Sequence, residues 1–152
     1  MYKKILVPTD GSEPSQEAVT TAIEIARLAS AEIVALSVAE PYPLVSAEAA
    51  MAIDMGLEME QRERAAQEIV NRVAQAAKTA GVDCRTVTMY STLPHEAIIQ
   101  AAAENQCDLI FMGSHGRRGL SRLLAGSVTQ NVLAHATIAV MVLRPKIEAA
   151  KP

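Results

Sequence analysis

Tryptophan is absent from this 152-residue sequence, and its aromatic residues are three tyrosines and one phenylalanine. Tyr2, Tyr42, Tyr90 and Phe111 are scattered, so they offer no stacking platform for nucleic-acid bases. Basic residues are not in excess either. Fourteen Lys and Arg stand against seventeen Asp and Glu, for a formal charge of −3. A mildly acidic chain lacks the concentrated basic face that nucleic acid requires, so nucleic acid is not expected as a partner. Cysteine occurs only at Cys84 and Cys107, with neither C-x-x-C spacing nor a neighbouring His cluster, so the cysteines support neither a redox motif nor a zinc site. Long hydrophobic runs are missing too. The longest, at 138–143, cannot span a bilayer, and the apolar stretch in the opening MYKKILVPTD is too short for a signal peptide. The expectation is a soluble cytoplasmic protein, not embedded in a membrane.

The length suits one domain with a real core, taken as residues 1–145, followed by a loose tail at 146–152. Within it, short apolar runs alternate with stretches at helical spacing. Strands are expected at 4–7 (closed by Pro8), 32–39, 84–90, 108–112 and 138–143. Helices are expected at 14–30, with Ser12 as N-cap, and over a long segment whose stripe is Ala65, Ile69, Val73, Ala76 and Ala80 before Gly81. Two more run from Pro94 to about Gln106 and from Ser127 to His135. The segment 40–56 is the least regular, broken by Pro41 and Pro43, and Met51, Met55 and Met59 are read as ordinary packing residues. Strand–helix alternation with buried-type strands predicts an α/β fold, a single doubly wound Rossmann-like domain with a mostly parallel sheet. In such sheets ligands sit beyond the carboxyl ends of the strands. Two loci with unusual residues fall there, Pro8-Thr9-Asp10-Gly11-Ser12 and the loop opened by Gly113, and one site requires that they be neighbours.

The second locus is the more informative. Gly113 and Gly116 let backbone approach a ligand and permit positive φ, while Gly126 and Ser127 stand where the next helix begins. A helix start offers unpaired N–H donors and the positive end of a dipole, which attract phosphate. Ser127 and Thr129 add hydroxyls, and Arg117, Arg118 and Arg122 add positive charge. The P-loop is excluded because no Gly-Lys pair exists, and the dinucleotide fingerprint is excluded because G-x-x-G-x-x-G follows the fourth strand instead of the first. On the glycines alone, a phosphate cradle and an ordinary long loop both remain open.

The spacing Gly113, Gly116, Gly126, Ser127 resembles the universal stress protein pattern of Gly, two residues, Gly, nine residues, Gly-Ser/Thr. The resemblance extends through KKILVPTDGS, LSVAE, LPHEAI and AVMVLRP, nearly the whole chain. It points to the ATP-binding branch of the family and implies a five-stranded parallel sheet of order 3-2-1-4-5. It further implies a binding site in which Pro8, Thr9 and Asp10 lie at the end of the first strand, Asp10 near the ribose or a phosphate-bound Mg²⁺. Val38 would line the adenine slot. Met112, Gly113, Ser114, His115, Gly116, Arg117 and Arg118 would wrap the ribose and phosphates, and Gly126, Ser127, Val128 and Thr129 would cap them. One departure is Thr92, where family members often carry Gly before the helix-start proline.

The resemblance implies an ATP-binding regulatory or stress-response protein that responds to adenine nucleotide. It would form a homodimer through the last strand, with dimers able to associate further into a tetramer, and act on a regulatory partner such as a transporter or another signalling protein. The rival is a slow Mg-dependent ATPase or another nucleotide-cleaving enzyme. No paired carboxylates or triad can be named, so no catalytic residue is assigned. Adenylate-forming relatives of this fold carry His-x-Gly-His or Ser-Gly-Gly-x-Asp-Ser, and this chain has Pro-Thr-Asp-Gly-Ser in the first-strand loop. His95 and His135 receive no functional role.

Overall fold

A computed structural model describes residues 1–41, 43, 46–115 and 125–144. The element order is β1 Lys4–Pro8, α1 Glu13–Ala29, β2 Glu32–Ala39, α2 Ala47–Ala52, α3 Met55–Thr79, β3 Cys84–Tyr90, α4 Pro94–Glu104, β4 Leu109–Gly113, α5 Ser127–His135 and β5 Ala139–Leu143. The five strands form one parallel sheet in the order β3-β2-β1-β4-β5, as the resemblance implied.

Period-two alternation sends each strand's side chains to two cores. Ile5, Val7, Ile33, Ala35, Leu109 and Phe111 meet Ala18, Ala22 and Ala26 of α1 and Val70, Val73 and Ala77 of α3. Their neighbours Leu6, Val34, Leu36, Ile110 and Met112 meet Ile98, Ala101 and Ala102 of α4 and Val132 of α5. Both faces are therefore covered, which is why the central strands read as continuous apolar runs. Among the described residues, no helix is long and apolar enough to cross a membrane.

Three expectations need correction. The buried stripe of α3 is Ala66, Ile69, Val70, Val73 and Ala77, and Ala65 and Ala76 are exposed. The bulk of Ile69, Val70 and Val73 sets the helix rotation, about one residue away from the alanine-based stripe. Met51, Met55 and Met59 are 92%, 46% and 42% exposed, so they do not pack in the core. The first turns of α3 carry no fully buried residue, and Asp54 caps that helix by accepting from the Leu57 amide at 3.1 Å. Ser12 sits at the N-cap of α1 without a side-chain cap bond, because its hydroxyl is committed to Asp10.

Asp108 clamps the amino ends of β1 and β4. Its carboxylate accepts from the Lys3 amide at 2.8 Å and the Lys4 amide at 3.0 Å. Partial burial pushes this carboxyl up, but the backbone donors outweigh burial and hold it below the ordinary aspartate value. A depressed folded-state value stabilises the fold above the ordinary aspartate range and is lost as pH falls through the folded value. Asp108→Asn should therefore melt below the wild type at pH 7. The gap should close below about pH 4, as read from thermal melts across pH.

Candidate nucleotide site

The carboxyl ends of β1 and β4 are adjacent because these strands pair directly. The two sequence loci meet there. A Cβ added at Gly113 would lie 3.3 Å from the Pro14 carbonyl and 3.7 Å from Ala18 Cβ, so the end of β4 packs against the start of α1. Gly113 is thus needed by the protein's own packing, and it does not have positive φ. Among the described glycines, positive φ occurs only at Gly11 and Gly81.

The first loop is held by a chain of hydroxyls. The Gly11 amide donates to Thr9 Oγ1 at 3.2 Å, and the Thr9 and Ser15 hydroxyls lie 2.6 Å apart. Ser15 donates onward to the Ser12 carbonyl at 3.2 Å, which makes Thr9 the donor to Ser15. Asp10 Oδ1 accepts from the Ser12 amide at 3.0 Å and the Ser12 hydroxyl at 2.6 Å. Gly11 has φ +75, and a Cβ there would come within 3.1 Å of Ile69, so only glycine suits the turn. Asp10 is thereby oriented before any ligand arrives. Ser15 was not singled out from the sequence, since a serine in the first turn of a helix carries no distinctive signal.

Val38 lies where β2 outruns β1. Strand β1 ends at Pro8, paired with Leu36, and the Leu36 carbonyl accepts from the Thr9 amide at 2.9 Å. Val38 has the same parity as Leu36, so its amide and carbonyl face the same side, beyond the end of β1. Its side chain packs toward the core shared with α4 and α5. The main chain of Val38 is therefore the part available to a planar heterocycle.

At the other side, Gly126 is the N-cap of α5, and its amide donates to the Ser114 carbonyl at 2.8 Å. The Gln130 amide makes the first helical bond, to the Gly126 carbonyl at 3.0 Å. The amides of Ser127, Val128 and Thr129 between them have no acceptor among the described residues. These unpaired donors and the positive end of the dipole form a socket for an anion. Among the described residues, a Cβ at Gly126 would meet only the Ser114 carbonyl, at 3.6 Å.

Two side chains play different parts from those expected. The Thr129 hydroxyl is 2% exposed and donates to the Gly113 and Ser114 carbonyls at 3.2 and 3.3 Å, so it holds α5 to β4 and is not offered to a ligand. Thr129→Val should cost about 1–2 kcal/mol in urea unfolding, since it leaves buried carbonyls short of a donor. Met112 is buried in the core with Val132, which leaves only its main chain for ligand contact. Ser127 is exposed at the helix start.

Ser114 Oγ lies 2.8 Å from His115 Nδ1, a pair the sequence did not suggest. It is not a nucleophile–base couple, because Ser114 is 2% exposed and His115 Nε2 has no orienting partner. Nε2 is instead a buried polar atom without a hydrogen bond, on the residue that follows Ser114, whose carbonyl accepts from the Gly126 amide. Gly116, Arg117, Arg118 and Arg122, and the tail 146–152, lie outside the described residues. Among the described residues no group of three or more His, Cys, Asp or Glu is placed to hold a metal. Burial pushes the Cys107 thiol up to about 11 and raises Cys84 as well, the opposite direction from an activated thiolate.

A parallel sheet of this order, with a glycine-started helix beside the β1 loop, can be set against known proteins. The Universal stress protein family profile matches residues 1–144. The chain belongs to the universal stress protein family. Universal stress protein MJ0531 of Methanocaldococcus jannaschii is 38% identical over 149 residues, covering 97% of this chain and 86% of the relative. The structure of MJ0577 from the same organism superposes with a TM-score of 0.81 at 29% identity, covering 97% of this chain and 99% of that one. A universal stress protein in complex with cAMP superposes at a TM-score of 0.65 with 26% identity, covering 93% of this chain and 97% of that one.

Proposed function

We propose that this universal stress protein binds ATP with Mg²⁺ and acts as a nucleotide-responsive regulatory protein of the cytoplasm. The observation that carries this reading is the set of three consecutive amides, Ser127, Val128 and Thr129, that have no acceptor among the described residues at the start of α5. Three negatively charged phosphates suit these donors, and the buried, unpartnered His115 Nε2 supplies a further polar contact. The main chain of Val38 beyond β1 suits the edge of adenine, and Asp10 suits the ribose or the magnesium ion. Gly116, Arg117 and Arg118 would close over the phosphates. A relative bound to cAMP supports the adenine-nucleotide class.

No paired carboxylates or triad are assigned in the described site, and Asp10 Oδ1 is engaged by the Ser12 amide and hydroxyl, so binding is favoured over turnover. The test is mass spectrometry of nucleotide that co-purifies with the protein, together with thermal melts in Mg-ATP, Mg-ADP and AMP. Nucleotide retained on the protein and a rise in melting temperature with Mg-ATP are expected. A protein that carries no nucleotide and gains no stability from any of the three would refute the reading.

The partner surface proposed for self-association is the edge strand β5. It lies at the end of the sheet, where open amides and carbonyls invite pairing. Its Met141 is 41% exposed, as is Leu133 of α5 at 51%. A homodimer through this strand, and a tetramer by further association, would cover them. Met141→Asp should convert the dimer to monomer in sedimentation velocity, because a buried unpaired carboxylate opposes the interface.

A further inference from the structure

The two histidines left without a role in the nucleotide site meet on the face of the sheet covered by α4 and α5. His95 is the second residue of α4, and His135 is the last residue of α5. Their ring centroids lie 6.1 Å apart with the planes tilted by 36°. His135 Nδ1 is 2.8 Å from the Asn131 carbonyl. A carbonyl oxygen only accepts, so Nδ1 carries the proton and the lone pair is on Nε2. A ring nitrogen bonded to a backbone carbonyl, with the other left as a base, is the usual setting of a metal-bound histidine.

We propose that His95 and His135 form a binding site for a late first-row divalent cation such as zinc or nickel. Geometry permits one ion to reach both rings. A ligating nitrogen about 2.0 Å from zinc places its ring centroid about 3.2 Å away, so at the tetrahedral angle two rings on one ion have centroids about 5.2 Å apart. The 6.1 Å pair therefore has to close by about 1 Å, a movement within reach of side-chain rotation at His95, which is half-buried, and His135, which is exposed. Imidazole selects zinc, nickel or copper over magnesium and calcium, which prefer oxygen. This site is therefore chemically separate from the one proposed for Mg-ATP. Water completes the coordination shell, and the bound ion joins the start of α4 to the end of α5.

Isothermal titration of the nucleotide-free protein with zinc chloride tests the site. One ion per chain is expected. His95→Gln and His135→Gln should each weaken binding by at least about tenfold, as loss of a ligand does. Asp10→Asn and His115→Gln should bind zinc as the wild type does. Melting temperatures of the metal-free variants show whether they are folded. In the wild type, ring ¹H–¹⁵N signals of His95 and His135 should shift on adding zinc, a readout independent of any substitution. Absence of zinc binding, retention of wild-type affinity in either histidine variant, loss in Asp10→Asn, or unshifted ring signals would overturn the proposal.

Discussion

Gly126→Val is expected to leave the protein folded and to remove its thermal stabilisation by Mg-ATP. The backbone at Gly126 has φ −60 and ψ 159, a region open to β-branched residues. Among the described residues an added Cβ would meet only the Ser114 carbonyl, at the ordinary contact distance of 3.6 Å. The remaining intrinsic cost is that of a poor N-cap, up to about 1 kcal/mol. On the ligand side the change is far larger, because branched carbons at the helix start would occupy the approach to the amides of Ser127, Val128 and Thr129. A ligand at a hundred times its dissociation constant stabilises a protein by about 2.7 kcal/mol. For a domain of this size that is a shift of roughly 5–10 °C. The wild type should show it and the variant should not. Gly126→Ala, with a smaller group, should retain part of the shift.

Phe111→Ala is expected to cost about 3–5 kcal/mol in urea unfolding, the largest effect of any single change considered. Phe111 is the only phenylalanine in the sequence and is 1% exposed. It stands on β4 in the core shared with α1 and α3, where many neighbours are alanines or valines too short to collapse into the space it fills. Its side chain faces α1 and α3, whereas the socket amides belong to α5. The increment added by Mg-ATP should therefore survive in the variant, measured as the difference between melts with and without nucleotide. Together the two substitutions separate the stability of the sheet from occupation of the socket. Gly126→Val removes the ligand increment with little loss of fold, and Phe111→Ala does the reverse.

The fold was legible because its strands are continuous apolar runs bounded by proline, glycine or a polar turn. The run at Lys4–Pro8 and the one at Leu109–Gly113 differ in sequence, but both are buried on two faces and so show the same pattern. The two edge strands are weaker cases, as the alternating burial of Cys84–Tyr90 shows. The rotation of α3 was harder to read because Ala65 and Ala66, like Ala76 and Ala77, are adjacent pairs, and small residues fit equally on either side of the contact. The larger Ile69, Val70 and Val73 decide the facing, and only the packed sheet shows it. Sequence could not tell that Met51, Met55 and Met59 stay exposed, since helical spacing says that residues share a face without saying what covers it.

The candidate site was legible in its glycines and in the adjacency of β1 and β4, but not in the work each group does. Gly113 looked like a place for a ligand and is occupied by the Pro14 carbonyl and Ala18. Thr129 looked like a donor to phosphate and its hydroxyl is turned inward to two carbonyls. Such assignments depend on which hydrogen-bond partner lies nearest in space, at sequence separations of 16 and 15 residues, and no local pattern encodes them. The free amides of Ser127 and Val128, by contrast, follow from the rule that a helix start leaves its first N–H groups unpaired.

The central claim is that phosphate is held by the amides opening α5. An amide ¹H–¹⁵N titration of the ¹⁵N-labelled protein with Mg-ATP tests it most directly. Saturable shifts in Ser127, Val128 and Thr129, larger than those of α4 amides on the same face of the sheet, are the predicted result. Saturable nucleotide binding that leaves those three amides unmoved would contradict it.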